Sequence, residues 1–155
     1  VQGDEPLVHP EMISMSVKPL VQDRSIECLT LVADAREEEW LDPNEVKVVV
    51  DEHDDILFMS RSPIPSNTRN RIGPRLRQIA IMPYRKKFLL DFQEMAPTPL
   101  EIAESIELLR AVEHGIKIKT ANSSAYRSIG VDTEADRLKA EELMAKDTLV
   151  SLYRD

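Results

Sequence analysis

Hydrophobic and polar residues follow two different periods along this chain, which predicts strands alternating with helices. Residues 116–122, IKIKTAN, alternate one by one, as in a strand with one buried face. Residues 26–33, 77–85 and 127–131 contain short apolar runs and are also predicted to be strands. In residues 45–60, two apolar runs flank the polar sequence DEHDD, which predicts a β-hairpin.

Helical spacing covers much of the remaining chain. Apolar residues recur at about the helical period in residues 10–22, where Pro19 is expected to kink or end the helix. Shorter helices are predicted at residues 36–44 and 86–95. Residues 61–75 are rich in proline and arginine, so we expect a long loop there, a feature that is often functional.

The strongest helical pattern lies in residues 98–115. Thr98 is a good N-cap residue, and Glu101 completes a capping box with it. A last helix is predicted from residue 134 to residue 147, with Asp132 as its N-cap. Strands and helices that alternate in this way indicate an α/β fold.

Composition and charge narrow the class of protein. A chain of 155 residues that is 42% hydrophobic suits one domain, residues 1–155, with a substantial core. The net charge of −8 disfavours nucleic acid and anionic membranes as partners. Cys28 is the only cysteine and is expected to be a buried small hydrophobe, and no apolar run reaches the roughly 20 residues of a membrane helix. These features predict a soluble cytoplasmic protein.

The familiar signatures of covalent catalysis and of phosphate-binding loops do not occur in this sequence. It has no GxGxxG, P-loop or HExxH motif, and it contains only four glycines. Two acid-bearing loops stand out instead, VQGDEP with Asp4 and GVDTEAD with Asp132. Two carboxylates at one sheet edge would suit Mg²⁺, which is often held by one or two carboxylates plus substrate phosphates. The simpler alternatives are that Asp132 only caps a helix and that Asp4 lies in an exposed tail.

Five segments resemble a known family when they are taken in order. They are VQGDEPL, DPNEVKVVVDEHDDILFMSRSPIP, QIAIMPYRKKFL, PLEIAESIELLRAVEHGIKI and GVDTEAD. Together they resemble the CMP-Kdo synthetases, the 3-deoxy-manno-octulosonate cytidylyltransferases of lipopolysaccharide assembly. The resemblance implies a nucleotide-diphospho-sugar-transferase-like, Rossmann-like fold with a mixed sheet, flanking helices and a β-hairpin used for dimerisation. It also implies a Mg²⁺-dependent reaction of CTP with Kdo that gives CMP-Kdo and pyrophosphate.

The same resemblance implies seven site residues. Asp4 and Asp132 would be the catalytic Mg²⁺ ligands. The substrates would be contacted by Gln2, Arg61, Gln78, Tyr84 and Glu107. Without the resemblance these five have structural alternatives, such as a solvated loop arginine for Arg61 and an exposed helical acid paired with Arg110 for Glu107.

Three positions depart from the family pattern, which usually has histidine at Gln78, an aromatic residue at Met82 and glutamine at Leu108. A site that loses a polar contact changes the hydroxyl pattern it tolerates. The resemblance makes Kdo the leading acceptor, and these departures leave a modified octulosonate or an acylneuraminate as the alternative.

The resemblance also implies that the chain is the C-terminal portion of such an enzyme, with the nucleotide-binding part missing. Val1 would then be the end of a buried strand, and GDEP would be an interior active-site loop. Family members are homodimers, and we expect this chain by itself to dimerise, to aggregate or to be only marginally stable. The competing hypothesis is a noncatalytic module that binds a sugar acid or a protein.

Overall fold

The computed structural model describes residues 1–66, 69, 73–126 and 129–149. Helices and strands alternate through these residues. The helices are α1 (Pro10–Gln22), α2 (Glu37–Leu41), α3 (Lys86–Glu94), α4 (Pro99–Glu104), α5 (Leu108–Glu113) and α6 (Glu134–Met144). The strands are β1 (Leu29–Asp34), β2 (Lys47–Val50), β3 (Ile56–Ser60), β4 (Leu76–Ile79) and β5 (Lys119–Asn122).

The five strands form one mixed sheet in the order β3-β2-β4-β1-β5. β1 pairs parallel with β5 and antiparallel with β4, while β2 pairs antiparallel with both β3 and β4. The hairpin predicted for residues 45–60 is confirmed, and its turn contains Asp54 with a φ of 62°, a backbone conformation that aspartate tolerates. The predicted α/β class is also confirmed.

Apolar residues cover both faces of the sheet, and the residues of β1 belong alternately to the clusters on the two faces. Cys28 and Val32 belong to one hydrophobic cluster, which α3 and α5 complete, whereas Leu29 and Leu31 belong to another, which α1 completes. Cys28 is fully buried, as predicted. Since alternate residues of a strand point to opposite faces, β1 is buried on both sides and occupies the centre of the molecule.

The sheet curls so that its two edge strands meet at one end. The Ile56 N–H donates to the Ile118 carbonyl at 2.9 Å, and the Thr120 N–H donates to the Asp54 carbonyl at 2.8 Å. Lys117 and Lys119 both form ion pairs with the buried Asp55 carboxylate. The hairpin is therefore tied to β5 as well as to β4.

The effect of Pro19 on α1 and the N-cap of α6 both differ from their predictions. α1 continues for three residues past Pro19, so this proline does not end the helix, although it lies inside it. Thr133, and not Asp132, is the N-cap of α6, because its hydroxyl accepts the Asp136 N–H at 3.2 Å while the Asp136 carboxylate accepts the Thr133 N–H at 2.9 Å. Asp132 is thereby left outside the helix.

The predicted helix 98–115 is wrong as a single element, since it breaks into α4 and α5 at Ser105. Ser105 has a left-handed φ of 55°, and the Ile106 N–H bonds back to the Glu101 carbonyl. The sequence contains no proline or glycine at the break. Tertiary contacts with Arg61 account for it, because that side chain binds the carbonyls of Glu104 and Ser105.

Three predicted strands are shorter than expected or are not strands. β4 ends at Ile79 because the chain bends there: the Ile81 N–H donates to the Ile79 carbonyl at 2.7 Å, and residues 81–84 keep only isolated bonds to the neighbouring chain. Ile129 to Val131 are not in a strand, and residues 127 and 128 lie outside the described residues. Val1 is exposed and is not part of a buried strand. The described residues of the predicted loop 61–75 contain no helix or strand; residues 67, 68 and 70–72 lie outside the description.

A buried ion pair holds α4 to α5 across the break. The Glu101 carboxylate bonds the Arg110 guanidinium, with the Arg110 Nε at 2.7 Å, and also accepts the Thr98 N–H at 3.2 Å. The Arg110 guanidinium lies over the Phe92 ring, 4.6 Å from its centroid. The two helices thus share one charged contact whose side chains are only 14% and 11% exposed.

Replacing Arg110 with methionine should lower the free energy of unfolding by about 3 kcal/mol, because it leaves the buried Glu101 carboxylate without its partner. The hydrogen bond from Arg110 lowers the pKa of Glu101 below its ordinary value of 4.5. A lowered carboxyl pKa contributes stability that is present above that value and is lost as the pH falls through the folded-state pKa. The difference between wild type and variant, measured by urea denaturation, should therefore narrow below pH 4.5.

The matched control is Lys87→Met, which removes the exposed pair of Lys87 with Asp91 on α3. We expect this variant to unfold close to the wild type, because exposed pairs contribute little. Equal destabilisation by the two substitutions would contradict a special role for the buried pair.

Candidate functional site

A cleft of 680 Å³ opens where five loops and strand ends converge. Its walls are the 2–5 loop, the 43–46 segment, the end of β4 with residues 80–84, the α4–α5 break and the loop before α6. All seven residues that the resemblance implies line this cleft, namely Gln2, Asp4, Arg61, Gln78, Tyr84, Glu107 and Asp132. The fold therefore brings together side chains that are up to 130 residues apart in the sequence. Their individual roles stay predictions.

The two acid-bearing loops are joined directly. The Val131 N–H donates to the Asp4 carbonyl at 2.9 Å, and the Gln2 N–H donates to the Ala80 carbonyl at 3.3 Å, which fixes the first loop at the end of β4. The side chains of Asp4 and Asp132 are exposed, and neither forms a hydrogen bond or an ion pair with the described residues. Two carboxylates with unused oxygens therefore face the same cleft.

This donor set fits a magnesium ion better than a metal held only by protein. No group of three or more His, Cys, Asp or Glu side chains that could hold a metal occurs among residues 1–66, 69, 73–126 and 129–149. Mg²⁺ retains several waters and is commonly held by one or two carboxylates together with substrate phosphates. Asp4 and Asp132 are two carboxylates on one cleft, and their oxygens are not engaged by other described residues.

Arg61 lines the cleft and also bonds its walls; its predicted contact with the sugar carboxylate stays a prediction. Its guanidinium donates to four main-chain carbonyls, those of Pro43, Asn44, Glu104 and Ser105, at 3.1 to 3.4 Å. Its own N–H donates to the Glu104 carboxylate at 3.0 Å, which also accepts the Ser60 hydroxyl. Arg61 therefore clamps two cleft walls together, and four of its five side-chain N–H groups are already used.

The floor of the cleft carries Gln78, Met82 and Tyr84. The Gln78 amide nitrogen lies 3.2 Å from the Thr30 hydroxyl oxygen and 3.3 Å from the Met82 sulfur. The Tyr84 hydroxyl lies 3.4 Å from the same sulfur. Burial raises the pKa of Tyr84 well above its ordinary value, so its hydroxyl stays protonated at neutral pH. Below the floor, burial also raises the pKa of Cys28, to about 12, which makes this thiol unreactive.

Glu107 lies exposed at the start of α5, with its carboxylate on the cleft. The structural alternative was an exposed helical acid near Arg110; Glu107 is exposed, but Arg110 forms its close ion pair with Glu101. The Glu107 side chain forms no hydrogen bond with the described residues and is free to accept one from a ligand. Leu108 is almost fully buried beside it and supplies an apolar wall.

Sequence reasoning missed the charged wall formed by Glu45 and Arg77. Arg77 is buried in β4, and its guanidinium lies 3.3 Å from the Glu45 carboxylate and 3.8 Å from that of Glu39. Burial raises the pKa of Glu45 despite the nearby Arg77 charge. The available signal was a charged residue within a predicted strand, since arginine is almost never fully buried unless it is paired.

Comparisons with known proteins show which family this chain belongs to. The sequence model of the family described as "Cytidylyltransferase" matches residues 1–118. The chain belongs to the cytidylyltransferase family. The family resemblance drawn from the five sequence segments is thereby confirmed.

None of the described helices is long and apolar enough to cross a membrane.

Several members of this cytidylyltransferase family are similar over almost the whole chain. A 3-deoxy-manno-octulosonate cytidylyltransferase of Geobacter metallireducens is 43% identical over 94% of the chain, and one of Pelobacter propionicus is 41% identical over 92%. A solved structure of CMP:2-keto-3-deoxy-manno-octonic acid synthetase complexed with CTP is 33% identical and covers 94% of the chain with a TM-score of 0.86. The chain spans 60 to 62% of the length of these relatives.

Arg61→Ala should lower the free energy of unfolding by about 2 kcal/mol, because it leaves several carbonyls of the cleft walls without their charged donor. Urea denaturation followed by circular dichroism measures this change. The matched control is Arg24→Ala, since Arg24 is exposed and forms no hydrogen bond or ion pair with the described residues. A variant with wild-type stability but no affinity for a sugar acid would show that Arg61 is a ligand-binding residue, as the resemblance implies, and not a clamp.

Proposed function

We propose that the protein is a Mg²⁺-dependent cytidylyltransferase that joins CMP to an acidic sugar. The observation that carries the proposal is the convergence of two unpaired carboxylates, Asp4 and Asp132, with Gln78, Tyr84 and Glu107 on one cleft. Membership of the cytidylyltransferase family and the names of the similar proteins support CTP and Kdo as the substrates.

The reaction forms a bond between the anomeric hydroxyl oxygen of the sugar acid and the α-phosphorus of CTP. The bond between the α- and β-phosphates breaks, pyrophosphate leaves, and the hydroxyl proton passes to solvent. A magnesium ion held by Asp4 and Asp132 would supply positive charge between the triphosphate and the sugar hydroxyl. No nucleophilic side chain is required, since positioning and charge neutralisation account for most of the catalysis in such transfers.

The chain's own residues bind and orient the acceptor. Glu107 offers a free carboxylate to sugar hydroxyls, and Gln78 and Tyr84 supply the floor on which the sugar rests. Arg61 and Glu104 hold the α4–α5 break in place, which keeps Glu107 at the cleft. Gln2 is held by its N–H at the end of β4, where its side chain can reach either substrate. Kdo is the proposed acceptor, with a modified octulosonate or an acylneuraminate as the alternative.

We further propose that the protein acts in the cytoplasm as a homodimer. The single cysteine is buried and unpaired, which suits a reducing compartment. Leu57 on the hairpin is a large apolar side chain and is more than half exposed. A second copy that packs on the hairpin would remove it from water.

Asp4→Asn and Asp132→Asn should each lower kcat/KM for pyrophosphate release from CTP and Kdo by at least about 100-fold, because each removes a charge that holds the metal. Both should also weaken Mn²⁺ binding to the protein, which electron paramagnetic resonance of the free ion measures without reference to activity.

The matched control is Asp34→Asn, which removes an exposed carboxylate outside the cleft. It should leave both Mn²⁺ binding and turnover unchanged. If Asp4→Asn and Asp132→Asn bind Mn²⁺ as tightly as the control does, the metal site is not where we propose it.

A further inference from the structure

The orientation of the Gln78 amide is fixed by its two neighbours. Thr30 is fully buried, and its hydroxyl oxygen lies 3.3 Å from the Ile79 carbonyl and 3.4 Å from the Leu31 carbonyl. The hydroxyl hydrogen is therefore directed to main-chain carbonyls, which leaves only lone pairs towards Gln78. The Met82 sulfur can also only accept. The sulfur thus requires the nitrogen side of the amide, and the hydroxyl oxygen accepts from the same nitrogen.

This arrangement uses both hydrogens of the Gln78 amide. One is donated to the Thr30 oxygen and the other to the Met82 sulfur. The amide carbonyl oxygen accepts no hydrogen bond from the described residues, and it is not among the fully buried atoms that lack a partner. Because Gln78 lines the cleft, that oxygen is the atom it offers to a ligand.

The Tyr84 hydroxyl also directs its hydrogen to the Met82 sulfur, at 3.4 Å. One sulfur atom thus takes hydrogens from both floor residues. Glu107, on the facing wall, is a carboxylate and can only accept when ionised. The floor and that wall together offer a ligand acceptor atoms, with their donors turned away from the cleft.

We propose that Met82 is a positioning residue that sets the sugar specificity of this cleft. By accepting from Gln78 and Tyr84, its sulfur makes the floor an acceptor surface, which binds sugar hydroxyls that donate and disfavours groups that can only accept. The inference rests on the proposed function, since it specifies which face of the acidic sugar this floor takes: its hydroxyl-bearing part and not its carboxylate.

A ligand-free test uses nuclear magnetic resonance of the side-chain amide of Gln78. Met82→Leu keeps the apolar volume but removes the sulfur acceptor. The two Gln78 side-chain N–H signals should shift in this variant and exchange faster with water, because one hydrogen loses its partner. Met95→Leu is the matched control, since Met95 packs against the same core but does not line the cleft. Unchanged Gln78 signals in Met82→Leu would overturn the inference.

A second test compares Kdo with analogues in which single hydroxyls are replaced by fluorine, a group that cannot donate. Titrations followed by the amide signals of the protein give the dissociation constants. The wild type should bind at least one analogue roughly tenfold more weakly than Kdo, because a fluorine would face an acceptor. In Met82→Leu this ratio should fall to roughly threefold or less, since Gln78 and Tyr84 can then turn a hydrogen into the cleft.

The outcomes separate the two proposals. If the wild type binds neither Kdo nor any analogue, the cleft is not a sugar-acid site, and the proposed function fails together with the inference. If Kdo binds and the fluorine ratio is the same in the wild type, Met82→Leu and Met95→Leu, the proposed function stands and the role of Met82 is wrong.

Discussion

The position of the site depends on a single constraint, the burial of β1 on both faces. Its residues from Leu29 to Ala33 are all buried, so the strand has no polar face that could be turned to solvent. A slip by one residue would move each side chain into the opposite hydrophobic cluster, which fixes the register with both β4 and β5. β4 carries Gln78 to the floor, and β5 leads towards the loop with Asp132. The cleft therefore depends for its geometry on a strand that contributes no residue to its lining.

The spacing of apolar residues was sufficient to predict the elements in which that spacing matches the buried face. α1, the hairpin and α3 were predicted close to their observed bounds because their apolar spacing matches the faces they bury. The break at Ser105 could not be predicted, since the helical pattern continues through it and the cause is a side chain 44 residues away, Arg61. The N-cap of α6 was misassigned by one residue because Asp132 and Thr133 are both good caps, and only the bonds to Asp136 distinguish them.

The candidate site was reached through family resemblance and not through local physics. Nothing in the spacing of Asp4 and Asp132 indicates that their loops meet, because the bond that joins them runs between main-chain atoms of Val131 and Asp4. The resemblance also assigned Arg61 to a substrate carboxylate, whereas its guanidinium is engaged by four carbonyls. The nearest other cleft cation, Arg77, lies against Glu45. The Arg77 charge is thus offset by carboxylates, whereas Arg61 keeps its net charge at the cleft because the carbonyls that it binds are neutral.

The contact between the two edge strands also has a consequence for self-association. Edge strands normally present unpaired N–H and carbonyl groups to which a strand from another molecule can add. In the part of the chain that the structure describes, residues 54–56 and 118–120 satisfy each other's main chain, and the Asp55 carboxylate with its two lysines covers the junction. Strand addition from another molecule is thus blocked at that end of the sheet, and the remaining residues of the two edge strands, β3 and β5, are where it could begin.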